Sequence, residues 1–294
     1  MSKKYVALGI DIGGTKIRAG LVDRGGNLFS QPREIQTMAH SSAEKILFNL
    51  EALLNSLLSE NENFDLAGVG VGCTGPLDTH NGIILNVANL PTLNYFHLKE
   101  WLQNRISNNI VLNNDANALL LGEALFGGGK GCSSVLGLTL GTGLGCALII
   151  NNHIWEGNTG NAGEIWSSPY KEGCIEDYVS GTALSKRYSE RAGVFLSARR
   201  VANLAYDGDI QAKQVWGDFA QDLAYTIAWT SNLFDPEVIV LGGSVTKSSG
   251  LFLSETKNAL CSKFGFSDRA ANIKVASLGE DAGVIGASAL IFNQ

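Results

Sequence analysis

Apolar positions along the chain switch between a strand-like and a helix-like period. Residues 5–12 (YVALGIDI) form an apolar run, GGT makes a tight turn, and KIRAGLVD at 16–23 returns before the polar turn RGGN, which predicts a hairpin with a glycine tip. Ser41-x-x-Glu44 reads as a capping box. It precedes Ile46, Leu47, Leu50, Leu53, Leu54, Leu57 and Leu58, whose i, i+3, i+4 spacing predicts an amphipathic helix. A strand over 66–72 runs into CTGPLD, and a strand over 108–113 runs into NDAN and the helical stretch ALLLGEALFG. The pattern then starts again: SVLGLTL at 134–140, the turn GTG, and LGCALIINN at 144–152 predict a second glycine-tipped hairpin. Two copies this far apart indicate one duplicated unit per domain, not a solenoid. Helix is expected from about 174 to 191 and from 209 to 233, where Asp235-Pro236 stops it. A buried strand at 238–243 (VIVLGG), a strand near 272–277 and an apolar helix at 281–292 close the chain; the small residues of AGVIGAS predict close packing for that last helix.

Composition narrows the possibilities. A chain of 294 residues with 45% hydrophobic content is long enough for two domains, each with its own core. The net charge of −6 offers no basic field for a phosphate backbone, which argues against nucleic acid as a partner and leaves a small anion to be met by backbone amides. Glycine is frequent, 35 residues, and falls in discrete clusters inside apolar segments, as sharp turns do. Cys73, Cys132, Cys146, Cys174 and Cys261 are odd in number and never in a CxxC pair, which fits a reduced, cytoplasmic setting. The N-terminus lacks the apolar stretch of a signal peptide and no apolar run is long enough for a bilayer span, so a soluble protein away from membranes is expected.

The candidate chemistry sits at the turns. Gly13-Gly14-Thr15 and Gly141-Thr142-Gly143 present backbone amides without an intervening Cβ, together with two threonine hydroxyls, and as a pair they suit a polyphosphate; either alone is explained by a tight hairpin. Asp11, beside the first turn, is placed to hold the water shell of Mg²⁺. Lys16 and Arg18 share one strand face, for which a solvated surface and phosphate contact weigh equally. Asp115 opens a helix after a strand, where it is a candidate general base, with an N-cap as its plain structural role. Gly70-x-Gly72-x-x-Gly75 matches a dinucleotide fingerprint but is followed by Pro76 and a polar loop instead of a helix, and GGGKG at 127–131 lacks the strand and the Ser/Thr of a P-loop, so it reads as a flexible loop. His40, His80, His97 and His153 fall in no motif and are expected at the surface.

With those pieces placed, the sequence resembles the ROK family of repressors and sugar kinases over nearly its whole length. The resemblance is carried by DIGGTKIRAG at 11–20, CTGPLD at 73–78, NDANAL at 114–119, LGTGLGCAL at 140–148, GNAGE at 160–164, GCIEDYVSG at 173–181 and NLFDPEVIVLGG at 232–243. It implies an α/β, two-lobed actin-like ATPase (ribonuclease H-like) fold with an interlobe cleft. A small lobe of 1–114 plus 281–294 would carry the first phosphate turn and part of the sugar site. A large lobe of 115–280 would carry the second turn, the adenosine site and the dimer contact. The activity implied is ATP- and Mg²⁺-dependent phosphorylation of a hexose, glucokinase-like at O6, by in-line transfer with Asp115 as base. Asn114, Gly75, Asn89, Glu164 and Glu176 would touch the sugar, and Thr15, Thr142, Gly242 and Gly243 the nucleotide. A homodimer is also implied.

The departures matter as well. The family's E-x-G-H segment reads Glu164-Ile165-Trp166-Ser167 here, and the zinc loop that usually follows retains only Cys174, so no zinc site is expected. Trp166 is read as a core residue in preference to a ring that stacks on sugar. Two other sugar classes stay open, N-acetylmannosamine or N-acetylglucosamine and fructose or allose. So do two functions of another kind: a sugar-responsive repressor, which would need a helix-turn-helix that a first strand starting near Tyr5 leaves no room for, and a catalytically silent sugar sensor.

Overall fold

The hairpin expected from the alternation at 5–23 is present in the computed structural model, which describes residues 3–61 and 63–293: β1 (Lys4–Ile12) pairs antiparallel with β2 (Lys16–Asp23). A short β3 (Arg33–Gln36) continues the sheet on the β2 side, while β4 (Phe64–Cys73) and β5 (Ile110–Asn114) add parallel strands on the β1 side, giving the order β3-β2-β1-β4-β5. Parallel strands buried on both faces read as continuous apolar runs, as in VALGIDI and VGVGC. The helix expected from the leucine spacing is α1 (Ala43–Ser59), which buries Ile46, Leu50, Leu53, Leu54 and Leu57. Those five side chains remove enough apolar surface to contribute about 10 kcal/mol as an upper bound. Its cap is Ser42, one residue later than the capping box predicted, and the Ser42 hydroxyl accepts from the Lys45 amide at 3.4 Å.

After β5 the chain turns directly into α2 (Asp115–Phe126). The loop that follows, expected to be flexible, is pinned. Buried Glu123 accepts from the amides of Gly128 (2.8 Å), Ser277 (3.1 Å) and Leu278 (2.8 Å), so one carboxylate joins two loops.

The second sheet repeats the topology of the first in its four longer strands. β6 (Ser134–Leu140) pairs antiparallel with β7 (Leu144–Ile150) and parallel with β10 (Val238–Gly242), which pairs in turn with β11 (Ile273–Val275); β8 (Pro169–Tyr170) and β9 (Gly173–Cys174) form a separate small hairpin. Helix begins at α3 (Gly181–Ala192), later than the expected 174, because residues 169–177 are spent on the hairpin and one short 3₁₀ turn. α4 (Ile210–Phe234) ends where expected, at Asp235 in the left-handed conformation (φ 43°) ahead of Pro236.

The chain divides into two compact units: residues 1–131 with 151–160 and 277–294, and residues 132–150 with 161–276. The sequence reading set the first boundary at 114/115; packing instead keeps α2 with the first unit, because Gly122 lies against Gly286 of the C-terminal helix (Ala282–Phe292). That helix packs on the sheet backbone to backbone. A Cβ built on Gly9 of β1 would meet the Val284 carbonyl, and one on Gly70 of β4 the Ala287 carbonyl, which explains the small residues of AGVIGAS.

These contacts predict that Gly70→Ala lowers the urea midpoint by the equivalent of about 1–3 kcal/mol or more. Gly217→Ala in α4, where an added Cβ meets only the flexible Glu255 side chain at 3.6 Å or beyond, should raise it by about 0.5–1 kcal/mol. Equal effects would contradict the packing argument.

Candidate active site

Register places the candidate residues of the first unit on one sheet edge. Asp11 of β1 stands opposite Gly72 of β4, and Gly72 opposite Asn113 of β5; one step further, Ile12, Cys73 and Asn114 align. The carboxyl ends of the three parallel strands therefore emerge at one level, carrying the first glycine turn, the Thr74–Gly75 corner and the start of α2, the usual place for a site on an open α/β sheet.

The first turn closes with the Gly13 amide donating to the Lys16 carbonyl (3.0 Å), while the Thr37 hydroxyl donates to the Gly13 carbonyl (2.6 Å). Gly14 lies so close to Asn89 that an added Cβ would come within 2.9 Å of the Asn89 side chain. Gly75, after which the peptide to Pro76 is cis, faces the Asn114 amide group. Asn89, Gly75 and Asn114, implied as sugar contacts, are thus brought to the turn or to the Asp115 helix. Lys16 and Arg18 make ion pairs: Lys16 Nζ lies 2.9 Å from Glu34, and Arg18 Nη2 lies 2.7 Å from Asp281 and its Nε 3.4 Å from Glu34.

Asp115 is the first residue of α2 and not its cap. Asn114 is the cap, and the Ala116 amide donates to both Asn114 Oδ1 (2.9 Å) and Asp115 Oδ1 (2.8 Å). Behind them stands Asn113, which the sequence reading passed over. It is buried, its Oδ1 accepts from the Asn114 amide (2.8 Å) and Asn117 Nδ2 (2.9 Å), and its own Nδ2 donates to Glu156 Oε1 (2.8 Å). The sequence carries no clear signal for it, since Asn113 belongs to the strand and the four-residue spacing pairs side chains only within a helix.

Electrostatics single out Asp11. Burial pushes its carboxyl up to about 6, the Asp115 carboxylate adds to the rise, and Lys16 and Arg18 oppose it. The neighbouring Cys73 thiol is pushed up by burial and by both carboxylates. Two acids on one edge, one of them costly to ionise, suit a hard divalent cation with oxygen ligands, which would offset the repulsion; among the described residues no group of three or more His, Cys, Asp or Glu forms a metal cage.

The second unit holds the other turn. Gly141 donates to the Gly143 carbonyl (3.0 Å), and the turn is braced by the start of α3, where the Gly181 amide donates to the Gly141 carbonyl (2.7 Å) and the Thr182 hydroxyl to the Thr142 carbonyl (2.8 Å). Glu176, implied as a sugar contact, lies against Gly143 and accepts from the Leu144 amide at 2.7 Å, so it supports this turn directly. Gly242 ends β10, and Gly243 follows it at φ 88°, packed on the Leu140 backbone. Glu164 is exposed. Its carboxylate accepts from the Trp166 indole N–H, and Trp166 is 42% exposed, which corrects the expectation of a core residue. Cys174 caps a 3₁₀ turn with Asp177. The four histidines are exposed, as expected.

Comparison with known proteins adds a family. The profile of the ROK family matches residues 7–294. The chain is 31% identical to a glucokinase of Halalkalibacterium halodurans over 98% of this chain and 95% of that one, and 30% identical to an N-acetyl-D-glucosamine kinase of Pasteurella multocida over 97% and 99%. In structure it is similar to a ROK family glucokinase from Streptomyces griseus solved with glucose and AMPPNP, with a TM-score of 0.80, 28% identity, and 96% and 98% of the two chains covered. The α/β architecture is the actin-like ATPase fold.

The raised Asp11 carboxyl makes the folded state prefer its protonated form. Its contribution to stability is full below about pH 4 and is lost as pH rises through about 6. Asp11→Asn should therefore raise the melting temperature of the ligand-free protein at pH 7.5 by about 2–8 °C, with the gain vanishing near pH 4. A gain that persists at low pH would contradict the charge argument.

Proposed function

The chain belongs to the ROK family, and from that premise we propose that it phosphorylates glucose or a close relative at O6, with Asp115 as the general base. It is an ATP-dependent carbohydrate kinase; the sugar, the hydroxyl and the residue roles are the proposed part. The observation that carries the reading is the common sheet edge of Asp11, Gly14, Gly75, Asn89 and Asp115. A carboxylate at the first position of a helix, itself capped by Asn114 and steadied through Asn113, is held where a substrate hydroxyl can donate to it.

In this reading Asn89, Asn114 and Gly75 orient the sugar and Asp115 takes the proton of the attacking hydroxyl. The resemblance also makes Glu164, whose carboxylate accepts from the Trp166 indole, a proposed sugar contact. The turns at 13–15 and 141–143 offer backbone amides and threonine hydroxyls to phosphate oxygens, with Lys16 beside the first and Gly242 and Gly243 toward the adenosine. Asp11 would hold Mg²⁺ through its water shell. The ion supplies charge neutralisation on the β- and γ-phosphates, and phosphoryl transfer asks the protein mainly for positioning. The likeness to an N-acetyl-D-glucosamine kinase favours a second sugar class, which differs at a single acetamido contact.

Coupled ADP release over a panel of hexoses and N-acetylhexosamines tests the reading. Glucose should give the highest kcat/KM, the product should be the 6-phosphate, and Asp115→Asn should lower kcat by about 10²–10⁴-fold. ADP release that no sugar stimulates, or a fully active Asp115→Asn variant, would overturn it.

A further inference from the structure

The small β8–β9 hairpin, whose Tyr170 packs on the hydrophobic core of the second unit, leads into the turn that carries Glu176. What fastens it is Asp222 in the middle of α4. This buried carboxylate accepts from Tyr170 Oη (2.9 Å), Lys171 Nζ and Arg187 Nη2 (2.7 Å), drawing the hairpin, α4 and α3 onto one point. The Lys171 ammonium also lies over the rings of Tyr170 (5.0 Å) and Tyr178 (4.8 Å), and Tyr170 stacks on Tyr225 at 4.6 Å. Burial and the Asp222 carboxylate push the Tyr170 hydroxyl up, which keeps it a donor.

Two features say that this hub serves geometry. Lys171 occupies the left-handed region (φ 50°) at the hairpin tip, where glycine or asparagine would be less strained, and from there its ammonium reaches Asp222. A buried carboxylate paired with cations is also weak evidence of added stability, because desolvation offsets the attraction, and in some proteins such groups fix one arrangement among several. From Lys171 to Glu176 the chain has little slack: Pro169 pairs with Cys174, the Ile175 amide donates to the Ser168 carbonyl (3.0 Å), and the Cys174 amide donates to Asp177 Oδ2 (3.0 Å). Five residues past the hub, Glu176 accepts from the Leu144 amide at the 141–143 turn. Arg187 belongs to α3, whose first amides brace the same turn from its carbonyl side.

We propose that Asp222, Lys171 and Arg187 form a positioning device that sets Glu176 against the Gly141-Thr142-Gly143 turn. Its importance for catalysis rests on the reading of that turn as a phosphate site; its structural content does not. The test is amide hydrogen exchange at Leu144, together with sugar-kinase kinetics, on the whole chain carrying Lys171→Met, Lys171→Arg, Glu176→Gln and the Lys171→Met/Glu176→Gln pair. Lys171 is half-exposed, so the fold should tolerate its loss. Lys171→Met should speed Leu144 exchange at least tenfold and lower kcat/KM at least tenfold, with the melting temperature nearly unchanged. Lys171→Arg should restore both, and the double variant should be no worse than Glu176→Gln alone. Faster exchange confined to residues 169–174, with Leu144 still protected, would overturn the proposal and leave the hub a plain hairpin anchor. Leu144 deprotection in a protein whose parent form phosphorylates no sugar would sink the kinase reading and leave the positioning role standing.

Discussion

The constraint on which the first unit depends is the backbone-to-backbone seat of the C-terminal helix on β1 and β4. Gly9 and Gly70 allow the carbonyls of Val284 and Ala287 to lie where any Cβ would be. That contact fixes the two central strands against each other and against α2, whose Gly122 meets Gly286 of the same helix. With the strands held in register, Asp11, Gly75 and Asp115 follow as neighbours, since each stands at or just past the carboxyl end of its strand.

The same seat explains an electrostatic cost. Asp11 lies against Gly283 at the start of that helix, where burial first and the Asp115 carboxylate second disfavour its ionisation, and only Lys16 and Arg18 lean the other way. Both cations are themselves committed to Glu34 or Asp281. A pair of acids kept together at the expense of stability is a pattern that clusters at functional sites. The second unit is arranged differently: its turn is braced by backbone amides and by the single carboxylate of Glu176, and a cluster of charges gathers at Asp222.

Much of this was legible in the sequence, because the signals were local. Both glycine-tipped hairpins, the leucine-spaced helix, the stop at Asp235-Pro236 and the small-residue face of the last helix depend on periodicity and turn chemistry within a few residues. What escaped was either a choice between near-equivalent local arrangements or a pairing between residues distant in the chain. The Ser42 cap differs from the expected box by one residue, a distinction propensity does not make. Trp166, expected in the core, is exposed, with its indole N–H donating to Glu164 two residues away. The GGGKG loop is held by Glu123, a buried acid whose acceptors' partners lie more than a hundred residues downstream as well as nearby. Asn113 and Asp222 act through Glu156, Lys171 and Arg187, pairings that no pattern in a single sequence announces.

Whether Asp115 moves a proton or merely grips the sugar decides the account. Titration calorimetry of glucose into the Asp115→Asn protein, set beside the parent, separates the two. A base that acts chiefly in the transition state leaves the dissociation constant within about threefold while turnover collapses. A loss of affinity equal to the loss of rate would contradict the account and make Asp115 a binding residue only.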